Sequence, residues 1–246
     1  MKALDLSGRV ALVTGGSRGI GAATALLLAE AGAAIGVNFI SNEAAAAKVV
    51  AEIEALGGKA VPIQADVSDK DAVARMTEFV EEQLGPIDVL VANAGVSQRL
   101  ELEDTSEDDF NNTLQTNLTS AFLCAQAVIP GMRSRSWGRL IFVSSGAAYN
   151  GGRVGIHYSA AKGGMEALSR AYALRLVKEG ITSNCVAPVM IETDMASTAT
   201  EKNKVFSPPV GRGGDVDEVS TAVLMLATNG YMTGQTVHMN GGLYFN

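Results

Sequence analysis

Short apolar runs alternate along the chain with longer stretches whose apolar residues recur at helical spacing. "RVALVTG" (9–15) reads as a strand buried on both faces, and "GIGAATALLLAEAG" (19–32) as a helix closed at Gly32. "AAIGVNF" (33–39) is a second strand, followed by an Ala-rich helix over 43–56 that ends at Gly57 and Gly58. "KAVPIQADV" (59–67) is a third strand, and residues 69–84 form a helix stopped by Gly85 and Pro86. "IDVLVANAG" (87–95) is a fourth strand, a long helix covers about 108–133, and "GRLIFVSS" (138–145) is a fifth strand. A helix over 158–178, "ITSNCVAP" (181–188), a helix near 215–227 and "GQTVHMN" (234–240) complete the series. Seven strands joined by helical crossovers predict an α/β fold, a doubly wound parallel sheet with helices on both faces. No linker, repeat or low-complexity block interrupts it, so one domain is expected over residues 1–246.

Composition narrows the function. The chain has 246 residues, is 47% hydrophobic and 18% charged, and carries a net charge of −7, enough apolar content for a large core. Net negative charge argues against a nucleic-acid surface and against attraction to anionic membranes. No apolar run reaches the ~18 residues of a spanning helix, and "MKALDLSGRV" lacks a secretory apolar core. A cytoplasmic protein is expected. Cys124 and Cys185 stand alone without motif spacing, so neither a disulfide framework nor a metal site is expected.

The first strand runs into "TGGSRGIG" (14–21). Gly15, Gly19 and Gly21 allow a tight turn and close approach of backbone to a ligand, and the helix N-terminus that follows favours a pyrophosphate. A carboxylate about 20 residues further on would hold the ribose 2′-hydroxyl of NAD. Asn38 stands there instead, and nothing repels a 2′-phosphate. Arg18, with Ser41 and Asn42, would bind one through charge-assisted hydrogen bonds, which favours NADP(H).

"HYSAAKGGM" (157–165) sets a phenol and an ammonium one helical turn apart at Tyr158 and Lys162. A tyrosine that exchanges protons near pH 7 must be shifted down by about 3 pH units, roughly 4 kcal/mol. A lysine on the same helix face favours phenolate and acts in that direction. Ser159, Ala160 and Ala161 between them leave room for a flat nicotinamide. Alone, such a pair is more readily an accident of a surface helix.

It does not stand alone. "TGGSRGIG", "ADV" (65–67), "NAG" (93–95), "TNLTS" (116–120), "VSS" (143–145), "YSAAK", "VAP" with "IETDM" (191–195) and "TGQTVHMNGG" near the end occur in one order. With these motifs the chain resembles the short-chain dehydrogenase/reductase family, whose core is a Rossmann-like seven-stranded parallel sheet. The resemblance implies that Tyr158 is the general acid in ketone reduction and the base in alcohol oxidation. Lys162 would tune it and bind the nicotinamide ribose. Ser145 rather than Ser144 would bond the substrate oxygen, and Asn117 would hold a water linking Lys162 to solvent. Gly15, Ser17, Arg18, Gly19, Ile20 and Gly21 would cradle the cofactor, with Asn38 and Ser41 near its ribose. Asp66 and Val67 would contact the adenine, Asn93, Ala94 and Gly95 the cofactor's middle, and Pro188, Ile191 and Thr193 the carboxamide. His157 adjoins the pocket, His238 is read as structural, and Met190 and Met195 fall in the substrate loop.

The chain departs from the family pattern at Val189, where Pro-Gly is usual, and in a short "LATNGYMTG" connection. The expected activity is NADPH-dependent reduction of a ketone or β-keto compound. The alternative is reduction of a 3-oxoacyl chain on an acyl carrier protein. That acidic partner asks for basic residues beside the site, but Glu179 ends the Tyr158 helix, leaving Arg133 and Arg135 to compensate. A non-catalytic NADP-binding sensor or scaffold is a third reading, disfavoured by the intact proton-transfer set. A homotetramer is implied by the family, with the apolar ending "GGLYF" suited to an interface.

Overall fold

The computed structural model describes residues 4–192 and 208–245. Seven parallel strands form one sheet in the order β3-β2-β1-β4-β5-β6-β7. They are β1 (Val10–Val13), β2 (Ala34–Phe39), β3 (Ala60–Gln64), β4 (Val89–Ala92), β5 (Gly138–Val143), β6 (Ile181–Pro188) and β7 (Thr236–Met239). The helices are α1 (Gly19–Glu30), α2 (Glu43–Ala55), α3 (Lys70–Leu84), α4 (Glu107–Leu114), α5 (Ser120–Ser134), α6 (Ala147–Asn150), α7 (Ile156–Leu176) and α8 (Val216–Thr228). Successive strand residues point to opposite faces, and the sequence fills both. Val13, Val37, Val91 and Val143 join one cluster with Leu28 of α1, Ile53 of α2 and Val223 of α8. Leu12, Leu90, Leu140 and Phe142 join another with Met76 of α3, Val128 of α5 and Met165 of α7. Burial on both faces explains why the five inner strands read as unbroken apolar runs.

The strand order reverses direction between β1 and β4, and ligands in such sheets bind beyond the strand C-termini at that point. The glycine loop after β1, Asp66 after β3 and Asn93 after β4 all leave the sheet on that edge.

Three local features differ from the sequence pattern. The long helix expected over 108–133 is α4 and α5 joined by a π-helical turn at Gln115–Thr119. A short helix, α6, follows Ser145. The third strand ends at Gln64, so Asp66 and Val67 lie beyond it.

Candidate active site

The glycine loop is held by side chains from neighbouring strands. Gly15 and Gly19 have φ of 60° and 53°, left-handed conformations that favour glycine. A side chain at Gly21 would be driven into the carbonyl of Gly15 and to 2.6 Å from Asn93 Nδ2. Asn93 donates from Nδ2 to the carbonyls of Thr14 and Gly15, at 3.0 and 3.1 Å. The Thr14 hydroxyl accepts from the backbone N–H groups of Asn93 and Ala94, both at 3.0 Å. Thr14, to which the sequence pattern gives no role, thereby locks β1 to β4.

Asn38 has a different job from the one its position suggests. Its side chain turns inward, 2% exposed. It accepts from the N–H of Gly15 at 3.1 Å and donates to the carbonyl of Ala65 at 3.1 Å, with longer bonds to Phe39 and Ile63. Asn42 is likewise committed, accepting from Ala45 N to cap α2 at 3.0 Å. The absence of a carboxylate at the end of β2 stands: Ile40, Ser41 and Asn42 follow it, exposed and non-acidic. Arg18, at the N-cap of α1, is exposed, and its guanidinium has no partner among the described residues. The N-terminus of α1 has neither a side-chain cap nor an acid in its first turn. The first N–H groups of a helix have no partner within it, and among the described residues no side chain caps these, which suits an anion. Ser17 and Ile20 are partly buried beside it, and Ile20 packs on the core. Asp66 is exposed and accepts from both the backbone and the hydroxyl of Ser68, whereas Val67 is buried in the core.

Asn117 sits in the π turn and is fully buried. Such turns are frequent at functional sites. Its Oδ1 accepts from Val96 N, and its Nδ2 donates to the carbonyls of Val96 and Thr113, all at 3.1 Å. The side chain therefore clamps the loop after β4. A side chain at Gly95 would be driven into Asn117 Oδ1 and would stand 3.6 Å from Lys162 Nζ, so Asn117 and Lys162 converge on Gly95.

Lys162 is 4% exposed and donates to the Val143 carbonyl at 2.8 Å. Burial pushes its pKa down to about 8. Tyr158, four residues earlier on α7, stands with its ring centre 5.7 Å from Lys162 Nζ. Burial raises the phenol above its ordinary value, and a hydrogen bond with Ser145 draws it part of the way back. The downward shift expected from Lys162 is not seen in the protein alone, because the ammonium points at the end of β5 and burial dominates. Ser145 Oγ also accepts from Ala147 N at 3.2 Å. Asn117, Ser145, Tyr158 and Lys162 thus gather at the C-terminal ends of β4 and β5.

The model of the short chain dehydrogenase family matches residues 9–204 of this chain. The chain belongs to the short-chain dehydrogenase family. It is an enzyme of that oxidoreductase family. It is 39% identical over 241 residues to a 3-oxoacyl-[acyl-carrier-protein] reductase of Synechocystis sp., covering 97% of this chain and 98% of that one. It is 38% identical over 244 residues to the (2S)-[(R)-hydroxy(phenyl)methyl]succinyl-CoA dehydrogenase subunit BbsD of Thauera aromatica, covering 97% and 98%. A solved short-chain dehydrogenase/reductase from Mycobacterium marinum superposes with a TM-score of 0.94 at 34% identity, covering 99% of this chain and 98% of that one.

Around the quartet, this short-chain dehydrogenase adds contacts that the sequence did not signal. Ser144 donates to Glu166 Oε1 at 3.0 Å and lies 3.2 Å from the Lys162 carbonyl, tying β5 to α7 from below. His157 is fully buried, with Nε2 3.0 Å from the Gln98 carbonyl. A carbonyl only accepts, so Nε2 carries the proton. His157 therefore joins α7 to the loop after β4 rather than lining an open pocket. His238 bonds the Tyr244 hydroxyl through Nδ1 at 3.0 Å.

Pro188, the last residue of β6, is buried, and the N–H of Val189 just beyond it donates to Met239 O at 2.9 Å. The positive φ in this segment falls on Met190, at 54°, and not on Val189, as a β-branched residue requires. Ile191 bridges to Gly214. With Val189, Arg212, Glu218 and His238 it lines a cavity of about 330 Å³ that none of Asn117, Ser145, Tyr158 or Lys162 touches. Thr193 and Met195 lie outside the described residues.

The basic residues expected to receive an acidic partner are engaged. Arg133 donates Nε and Nη2 to the two oxygens of Glu179, at 2.6 and 3.1 Å. Arg135 donates to Ile87 O at 2.7 Å and stands 3.5 Å from Asp88 Oδ1. Glu179 follows the C-terminal end of α7, roughly 30 Å from Tyr158 at 1.5 Å per residue. Within one chain it does not rim the site, contrary to the expectation from sequence. Both cysteines are free and buried, and burial pushes each thiol up to about 12. Among the described residues no acidic, His or Cys cluster fit for a metal occurs, and no helix is long and apolar enough to cross a membrane.

Proposed function

We propose that this short-chain dehydrogenase reduces the carbonyl of a ketone or β-keto compound with NADPH, and oxidises the alcohol in reverse. The observation that carries the reading is the hydrogen-bonded pair Ser145 and Tyr158 with the buried ammonium of Lys162 beside it. The phenol carries a proton at neutral pH that it can give to the substrate oxygen; burial holds that proton more tightly in the protein alone, and the hydrogen bond with Ser145 opposes this. Ser145 and Tyr158 together offer two hydroxyls to one substrate oxygen. Tyr158 delivers the proton to that oxygen, and Ser145 orients it. Lys162 favours the phenolate left behind, and Asn117 holds the loop against which Lys162 stands.

NADPH, when bound, supplies the hydride to the carbonyl carbon. The residues fit it: the left-handed glycines Gly15 and Gly19, the close-packed Gly21 and the uncapped α1 would cradle the pyrophosphate, with Ser17 and Ile20 beside it. Arg18 and Ser41 would take the 2′-phosphate. Asp66 and Val67 would meet the adenine, and Asn93, Ala94 and Gly95 the middle of the molecule. Lys162 and Tyr158 would meet the ribose, and Pro188, Ile191 and Thr193 the carboxamide. Residues 1–246 would form one cofactor-binding and catalytic domain, in a cytoplasmic homotetramer.

A second reading, reduction of a 3-oxoacyl chain on an acyl carrier protein, is favoured by the Synechocystis relative's name. The pairing of Arg133 with Glu179 weighs against a docked acidic carrier. An assay of NADPH and NADH oxidation over simple ketones, small β-keto thioesters and carrier-linked ones tests both readings. NADPH-dependent turnover of any of these supports carbonyl reduction. Binding of NADPH without oxidation across the whole panel overturns it in favour of a sensor.

A further inference from the structure

Gly146 follows Ser145 and has φ −57° and ψ −17°, a right-handed conformation open to any residue. Its backbone does not ask for glycine, but its surroundings do. A Cβ there would be driven into Cγ2 of Val189 and would stand 2.7 Å from the Tyr244 hydroxyl. Gly146 N donates to Pro188 O at 3.2 Å, which ties this turn to the end of β6. The Tyr244 ring stacks on Tyr149 with centroids 4.6 Å apart, and His238 packs edge-on against it. Asn240 Nδ2 donates to the Tyr244 carbonyl at 2.8 Å. The C-terminal segment therefore reaches back over β6 and β7 to the turn that carries Ser145. The bond from Ala147 N to Ser145 Oγ spans Gly146, so a displacement of Gly146 moves the Ser145 hydroxyl.

We propose that Val189 and Tyr244 are positioning residues for Ser145, occupying the side-chain space left empty at Gly146 and so setting where the Ser145 hydroxyl stands relative to Tyr158. The inference rests on the function proposed above. It gives the valine, found where the family pattern has glycine, a complementary glycine on the facing turn. Interiors are packed closely enough that an added methyl is felt as displacement, and small misplacements of a reacting group are costly in rate.

The test is a double-mutant cycle on Gly146→Ala and Val189→Ala in the full-length protein, with kcat and KM for reduction of a ketone, NADPH affinity and circular dichroism measured for each. Gly146→Ala is expected to lower kcat by roughly tenfold or more with NADPH affinity kept, and Val189→Ala added to it is expected to restore most of the loss. Wild-type kcat in Gly146→Ala, or additive effects without rescue, overturns the inference. Where Gly146→Ala does not fold, Val189→Ala and Tyr244→Phe are read alone. Lower kcat with kept NADPH affinity supports the positioning role, and unchanged kcat in both overturns it. Tyr158→Phe assayed alongside separates the two claims. Kept turnover there refutes the function itself, whereas lost turnover with an additive cycle refutes only the positioning of Ser145.

Discussion

Lys162 donates its ammonium to the Val143 carbonyl at 2.8 Å while standing 5.7 Å from the centre of the Tyr158 ring. The charge is buried, and its hydration is replaced largely by one backbone oxygen. That is why its pKa falls from 10.5 to about 8. Below pH 8 the folded and unfolded chains both carry the proton, and the full cost of burying the charge is present. Between pH 8 and 10.5 the unfolded chain binds more protons, so this residue's contribution makes stability rise with pH. The gap corresponds to about 3 kcal/mol as an upper scale. Urea unfolding of cofactor-free wild type and Lys162→Met across this range is expected to give a stability difference that shifts toward wild type as pH rises. Parallel pH profiles would show that Lys162 is not titrating in the folded protein.

On the proposed function, Arg18 is expected to govern the choice of cofactor. Its guanidinium is exposed and unpartnered among the described residues, and no acid ends β2. Arg18→Ala is expected to weaken NADPH by roughly 1.5–3 kcal/mol, the scale of a charged hydrogen bond, and to leave NADH nearly unchanged. Titration of both cofactors by fluorescence checks this. Equal losses for NADPH and NADH would mean that Arg18 acts on the loop and not on a 2′-phosphate.

Weak selectivity for a carrier protein is expected from the pairing of Glu179. Its bidentate pairing removes Arg133 as a free cation, Arg135 is turned inward, and the chain carries −7 overall. An acidic carrier protein is then poorly steered to this surface. The kcat/KM for a carrier-linked β-ketoacyl chain is expected within about tenfold of its small-thioester analogue, since a carrier that is not steered adds little to the encounter rate. A carrier preference on the order of a hundredfold, lost at high salt as steering is, would show an electrostatic docking surface that a single chain does not reveal.

The sheet was legible in the sequence because its five inner strands are buried on both faces and so read as short apolar runs between helix-length stretches. Element ends were not. "KAVPIQADV" stays apolar past Gln64, where pairing stops, and α6 is only four residues long, too short to register a period. The π turn at Asn117 adds a residue to one turn inside an otherwise regular helix, which a 3.6-residue pattern absorbs. Spacing and motif order led to the expectation that Tyr158, Lys162 and Ser145 meet, and the fold brings the three together. Asn38 was legible as a missing carboxylate, but its bonds to Gly15 and Ala65 depend on strand neighbours that the sequence does not set side by side. Thr14, Glu166 and the Gly146–Val189 contact are non-local in the same way. The pKa of Tyr158 moved opposite to expectation because spacing reports the lysine but not the depth of burial.

The most direct measurement is the turnover of Tyr158→Phe in NADPH-dependent reduction of a ketone that the wild type accepts. The substitution keeps the ring against α7 and removes the proton donor. Turnover is expected to fall by a factor on the order of 10² or more, with NADPH affinity largely kept. Near-normal turnover in that variant would contradict proton delivery by Tyr158 and, with it, the mechanism proposed for this site.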